Sequence, residues 1–354
     1  MFKRYLALFL GFCLVFSLMG CSKKPQEIEV SGGTEGSNPQ SAEPVNTHAK
    51  NPLTGLYNMD KSKTTLRPVG IMIDNDSIAQ KDTQSGLSRA DIVYETETEG
   101  GITRLMGMFA DISKADQLGD VRSARYVYVD LAMGHNAIFV HSGKEPVYCA
   151  EHLKDLDNFE ITYNYYGKRI HYGSAKGWQE LFTSGETLNK GFSEKKWKTN
   201  ADNDIPLWQN FADEKESIML SGGVANKLTV KFSSAATSYF TYDGSTGNYL
   251  KTSKATQNKD RNNGENYAFK NVIVINTKMG YYPVTTDPKK RRNIELKSGT
   301  GYYAVNGTYK PIKWKKGNST DPLVFSNEDG TPLQMNAGNT WVCIASLDGT
   351  ATFE

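Results

Sequence analysis

One apolar run decides where this chain can fold. Leu6 to Met19 is almost wholly apolar, preceded by Lys3 and Arg4 and followed by Gly20-Cys21. A membrane-spanning helix needs about 20 apolar residues, so this run is too short to span. A basic start before a short apolar stretch is instead the pattern of a secretory signal. Leu18-Met19-Gly20-Cys21 has the form of a lipobox, with an apolar residue three before the cysteine and a small residue just before it. The reading is a signal peptide over 1–20, lipid on Cys21, and a body held at the outer face of a cell membrane. No other apolar run in the 354 residues could span a bilayer.

Residues 21–50 then form a tether. They are rich in Ser, Gly, Pro, Asn and Glu and carry no apolar period, so they cannot bury a core. A flexible segment of that length has a mean span of about 30 Å. Beyond the tether only Cys149 and Cys343 remain, too few for a disulfide framework. Both read as buried thiols.

The body divides by pattern and by charge. Residues 51–222 mix strands and helices. Arg67 to Ile73 reads as a buried strand stopped at Asp74-Asn75-Asp76. Ile92 to Glu99 and Ile102 to Ala110 read as a hairpin across Gly100-Gly101, a register that sets Glu97 opposite Arg104, Ile92 opposite Phe109 and Val93 opposite Met108. Helices are expected over Ser123 to Met133, from Glu145-Pro146 to about Leu156, and over Ala175 to Leu188 with Trp178 and Leu181 facing inward. Ala137 to His141 is a short strand between the first two. From 223 to 354 the pattern is β, with alternation at Leu228, Val230 and Phe232 and turn signals at Asp243-Gly244, Thr246-Gly247, Asn306-Gly307 and Asp329-Gly330. The expected fold class is an α+β N-terminal domain with a mixed sheet and flanking helices, followed by a mainly β domain, a small sandwich or barrel. Cys21 to Ala225 carries a net charge of −7 and Asn226 onward +7, which bears on partners and not on fold.

Three constellations could carry function. Gly119 to Arg125 places Arg122, Ser123 and Arg125 at an expected helix start. There the macrodipole disfavours cations, and an anion held by the guanidinium groups, the hydroxyl and free N–H groups would resolve the conflict. The bland alternative pairs these arginines with Asp116, Asp120 or another acidic neighbour. Val140-His141-Ser142-Gly143 ends a strand, and Asp74-Asn75 ends another, so His141, Ser142, Asp74 and Asn75 could share one sheet edge where ligands collect. The nucleophile-elbow glycine before Ser142 is missing, since Val140 holds its place. Glu95, Glu97 and Glu99 share a strand face that could take a hard cation, although a solvated rim partly neutralised by Arg104 fits as well. The spacing of His135 and His141 suits no zinc site, so neither a metal nor any other cofactor is expected. Lys289-Lys290-Arg291-Arg292 would sit in a solvated loop facing anionic wall polymer or lipid headgroups; nucleic acid is not an expected partner.

Several of these stretches also resemble one family. Asn51-Pro52-Leu53-Thr54-Gly55, Arg67 to Asn75, Gly86 to Glu95, Glu99 to Arg104, Val121 to Arg125, Trp314-Lys315-Lys316 and Gly338-Asn339-Thr340-Trp341 are similar to the YerB-like lipoproteins. The family pattern has proline where Asp120 stands here. The resemblance implies two domains of unknown function behind a lipid anchor. It brings no reaction, cofactor or catalytic residue. The sequence reading is therefore a non-enzymatic envelope protein that binds an anionic ligand or a protein partner, with Arg104, Arg122, Ser123, Arg125, His141, Ser142, Asp74 and Asn75 as candidate site residues. The rivals are a hydrolase or transferase acting on a wall or lipid precursor, and a scaffold that binds nothing.

Overall fold

Strands that read as unbroken apolar runs enter one sheet, and strands that alternate enter another. The computed structural model describes residues 47–354 except 164, 254, 255 and 284–288. The signal, Cys21 and most of the tether lie outside the described residues. In the N-terminal half the elements are β1 (Val69–Asp74), β2 (Ile92–Glu97), β3 (Thr103–Phe109), α1 (Tyr126–Gly134), β4 (Ile138–His141), α2 (Tyr148–His152), β5 (Asn158–Glu160) and α3 (Gly185–Glu194). The C-terminal half adds β6 (Lys227–Lys231), β7 (Thr237–Asp243), β8 (Asn248–Ser253), β9 (Asn271–Thr277), β10 (Ser298–Val305), β11 (Thr308–Lys315), β12 (Thr340–Ser346) and β13 (Thr350–Phe353).

The large sheet has eleven strands, whose long members run β11-β10-β9-β12-β2-β3-β1-β4-β5. Strands β9, β12 and β2 are mutually parallel, as are β1, β4 and β5; β3 is antiparallel to both β2 and β1. Six strands therefore point the same way. Their carboxyl ends are Thr277, Ser346, Glu97, Asp74, His141 and Glu160, all on one edge of the sheet. Interior strands of this kind are buried on both faces, which is why Val69 to Ile73 and Trp341 to Ala345 carry no polar alternation.

One face of the large sheet, with Met72, Tyr94, Met106, Phe139 and Ile344, packs against α1 through Val127, Tyr128 and Leu131. The other face, with Ile71, Val93, Leu105, Val274, Trp341 and Cys343, packs against a six-stranded sheet built on β8-β7-β6-β13 and against Leu188 and Phe192 of α3. Phe240 and Phe269 meet the Trp341 ring edge-on at 5.8 and 5.1 Å between centroids. The result is three layers around shared cores. The α+β N-terminal part with its mixed sheet and flanking helices, and the mainly β C-terminal part, stand as expected. The second sheet stacks on the first as a sandwich.

The boundary expected at 222/223 separates stretches of chain but not sheets. β12 pairs with β2 over five residues, and the described residues from 47 onward form one compact unit. Cys149 and Cys343 are both buried free thiols. Among the described residues no helix is long and apolar enough to cross a membrane.

Four local expectations need correction. The β2–β3 turn takes three residues, with Thr98 N–H donating to the Ile102 carbonyl at 2.8 Å, and Gly100 and Gly101 at φ 71° and 73°. That shifts the register by one: Arg104 faces Thr96, Glu97 faces Thr103, and Ile92 faces Met108. The helix expected from Ser123 begins at Tyr126, because Val121 to Ala124 is bonded through its backbone to β1 and to the residues just after β4. Residues 175–188 hold a short 3-10 turn and the strand Leu181–Thr183 before α3, and Trp178 is 55% exposed. The loop of Lys289 to Arg292 is not wholly solvated, since Arg292 is half-buried on Glu97. The Asn306-Gly307 hairpin forms as expected, with φ 51° and 70°.

Candidate ligand-binding edge

The charged residues gather where the six parallel strands end. Each apolar run stops at this edge in polar side chains: Asp74 ends β1 with Asn75 after it, Glu97 ends β2, and His141 ends β4 with Ser142 after it. β1 and β4 pair only at Val69 to Ile71 and then separate. Val121 to Ala124 fills the gap: Arg122 N–H donates to the Met72 carbonyl, Ser142 N–H to the Arg122 carbonyl, and Ala124 N–H to the Gly143 carbonyl. A crevice between diverging parallel strands is where open α/β sheets place ligands.

On the α1 face the segment delivers arginines to a carboxylate. Arg122 Nε lies 3.0 Å from Asp74 Oδ2, close enough for an ion pair although the N–H is not aligned as a hydrogen bond, and Arg122 Nη1 donates to the Trp178 carbonyl at 2.7 Å. Arg125 forms a fork on Glu99, Nε donating to Oε2 at 2.9 Å and Nη2 to Oε1. Despite the cost of burial, that fork holds the Glu99 carboxyl down to about 2. Arg104 projects from β3 into the same cluster. It is 3% exposed, its Nη1 donates to the Ser123 carbonyl at 2.9 Å, and its Nε has no hydrogen-bond partner among the described residues. Burial and the neighbouring Arg125 push its guanidinium down to about 10, against the pull of Asp74 and Glu99. Three arginines thus stand within one another's fields.

Asp120 closes the cluster from below. It is fully buried, accepts from Thr83 Oγ1 at 2.9 Å, and leaves Oδ2 without a partner among the described residues. Burial first, and then the charge of Asp74, push its carboxyl up to about 8. At neutral pH it is therefore largely protonated.

The opposite face holds a different arrangement. Glu95 Oε1 accepts from Asn75 Nδ2 at 3.0 Å, Thr103 Oγ1 at 2.9 Å and Ser238 Oγ at 2.8 Å; Oε2 accepts from Trp341 Nε1 at 3.0 Å. The buried Lys251 lies in its field, and burial lowers that ammonium's pKa against the pull of Glu95. Glu97 meets Arg292, whose Nη2 donates to Oε2 at 2.6 Å. Both glutamates are buried, so neither belongs to a solvated rim. No group of three metal-ligating side chains occurs among the described residues.

Of the expected site residues, the structure brings Arg104, Arg122, Arg125 and Asp74 together. Asn75 belongs to the Glu95 network on the other face. Ser123 contributes its carbonyl, not a helix cap; the N-cap position is Arg125, which makes no side-chain cap bond. His141 turns away: its ring meets the Gly143 carbonyl at 2.8 Å and Asn158 Oδ1 at 3.3 Å, and not the Ser142 hydroxyl. Sequence reasoning did not find Lys251, Ser238 or the Glu97–Arg292 pair, because partners more than 140 positions apart leave no local signal. Asp120 was visible as an acid before Arg122, but not its neutrality.

Comparison with known proteins places these features. Residues 53–198 match the N-terminal domain, and residues 228–342 the C-terminal domain, of the family described as protein of unknown function DUF3048. The chain is 29% identical over 308 residues to YerB of Bacillus subtilis (strain 168), whose name calls it a lipoprotein, covering 83% of this chain and 86% of that one. The crystal structure of YerB protein from Bacillus subtilis aligns with a TM-score of 0.71 at 26% identity, over 86% of this chain and 99% of that one.

Proposed function

Because the chain belongs to the DUF3048 family of two-domain proteins of unknown function, we propose that it is a lipid-anchored envelope protein that binds an anionic ligand and catalyses no reaction. The anchor is Cys21, supported by the lipobox and by a relative named as a lipoprotein. The secretion signal puts the body on the extracytoplasmic face.

One observation carries the ligand: the cluster sets three guanidinium groups beside the carboxylates of Asp74 and Glu99. Asp120 is largely neutral at pH 7 and does not balance the third cation. The surplus falls on Arg104, whose Nε has no hydrogen-bond partner among the described residues. A buried charge without compensation is unfavourable, and an anion in the crevice supplies it. The first turn of α1, with no side-chain cap, adds its positive end. Ligand contacts would fall to Arg104, Arg122, Ser123 and Arg125.

A second reading has its own support. The Arg122–Asp74 and Arg125–Glu99 pairs are what a purely structural scaffold would show. The hydrolase or transferase reading is weaker, since His141 and Ser142 make no pair and Asp74 and Asp120 are buried. Thermal denaturation in phosphate against chloride, at equal ionic strength, separates binding from scaffold. Binding raises the midpoint of the parent and not that of Arg104→Gln; at a hundred times Kd the gain is about 2.7 kcal/mol. No phosphate effect on the parent leaves the scaffold.

A further inference from the structure

We propose that the crevice where the two sheets part beyond β2 and β12 binds a neutral saccharide through its hydroxyl groups. The site is distinct from the arginine cluster. It has a volume of 390 Å³ and is lined by Glu97, Arg292, Lys231, Ser346, Asp348 and Thr350 among others. Small-ligand sites usually measure about 300–1,000 Å³. It also lies at the carboxyl ends of two adjacent parallel strands, β2 and β12.

Its floor is Glu97, whose side chain is 1% exposed. Arg292 donates twice to Oε2, from Nε at 2.9 Å and from Nη2 at 2.6 Å. Oε1 has no partner among the described residues. A buried carboxylate oxygen without a donor is costly, and a ligand O–H supplies the donor. The charge count selects the ligand. Glu97 is matched by Arg292, and the exposed Lys231 stands with the exposed Asp348 on the same rim. An anion would meet two carboxylates, and a cation would meet Arg292 and Lys231. A neutral molecule disturbs neither balance. Ser346 and Thr350 carry hydroxyls that both donate and accept, as sugar hydroxyls require.

The test is calorimetric titration of the full chain, in a detergent without a sugar headgroup, with cellotetraose, maltotetraose and an N-acetylglucosamine tetramer. Glu97 substitutions risk the fold, so the variant is Ser346→Ala with Thr350→Val, at half-exposed and exposed positions, its fold checked by circular dichroism. At least one neutral oligosaccharide should bind saturably with Kd below about 1 mM and weaken about tenfold or more in the double variant. Arg104→Gln should leave that affinity unchanged. The proposal is overturned by absent saturation with all three sugars, by equal affinity in the double variant, or by stronger binding of a glucuronate tetramer.

Discussion

Glu95 joins the two halves of the chain, and its removal should show how much they depend on each other. Its two oxygens receive hydrogen bonds from Asn75 and Thr103 in one half and from Ser238 and Trp341 in the other. Glu95→Ala strands four buried donors. Each stranded group costs about 1–3 kcal/mol before relaxation. It also leaves Lys251 buried without the carboxylate that favours its charge. Losing one partner of a buried charge network costs about 3–5 kcal/mol, and we expect a value in that range for Glu95→Ala. A domain of ordinary stability holds only about 5–15 kcal/mol in all. The assay is urea denaturation followed by tryptophan fluorescence, with Trp341 itself at the junction, and by circular dichroism. Lys251→Met should soften the effect, so that the double variant is less destabilised than the sum of the singles. A loss under about 1 kcal/mol, or strict additivity with Lys251→Met, would refute the clasp.

Other expectations are simpler to check. Asp120→Asn keeps the Thr83 contact and removes an acid whose folded pKa, near 8, lies above its usual 3.8. The native state favours the protonated form, so Asp120 costs the parent stability as pH rises from about 4 to 8; the advantage of the variant in thermal midpoint should grow through that window and then level off. Cys21→Ser should leave the protein unlipidated and largely uncleaved, read by detergent partitioning and intact mass; unchanged partitioning would remove the anchor. Because β12 sits beside β2 in the large sheet, fluorescence and circular dichroism should report one unfolding transition, and cleavage near residues 221–226 should not release an independently folded half. Two separated transitions would restore two autonomous domains.

The sequence was most legible where a pattern is local. The apolar run of β1, the Asn306-Gly307 turn and the alternation of β6 each signal their element within a few residues. The pattern also located the shared edge, because a buried strand must stop at its first charges, here Asp74 at the end of β1. It failed where tertiary contacts override local preference. Ser123 has the chemistry of a helix cap, yet the backbone around it is claimed by β1 and by the residues just after β4, which delays α1 to Tyr126. Trp178 looked like a core anchor and stands exposed, because the chain there forms a short turn and a strand. Glu97 looked solvated because its partner, Arg292, is 195 positions away. The pairing of Arg122 with Asp74 and Arg125 with Glu99 was legible only as one of two alternatives, since both an anion and an acidic neighbour satisfy the same cations.

Arg104 distinguishes those alternatives most directly. Its Nε–H is buried and has no acceptor among the described residues, so its nuclear magnetic resonance signal should respond to whatever enters the crevice. The measurement is titration of phosphate into protein carrying 15N-labelled arginine, at constant ionic strength, with Arg67 as an internal control whose Nε already donates to the Asn136 carbonyl. Anion binding predicts a saturable shift of the Arg104 Nε–H, smaller shifts at Arg122 and Arg125, and none at Arg67. An Arg104 signal that stays fixed while phosphate rises well past 10 mM, a range weaker than about −3 kcal/mol of binding, would contradict the account.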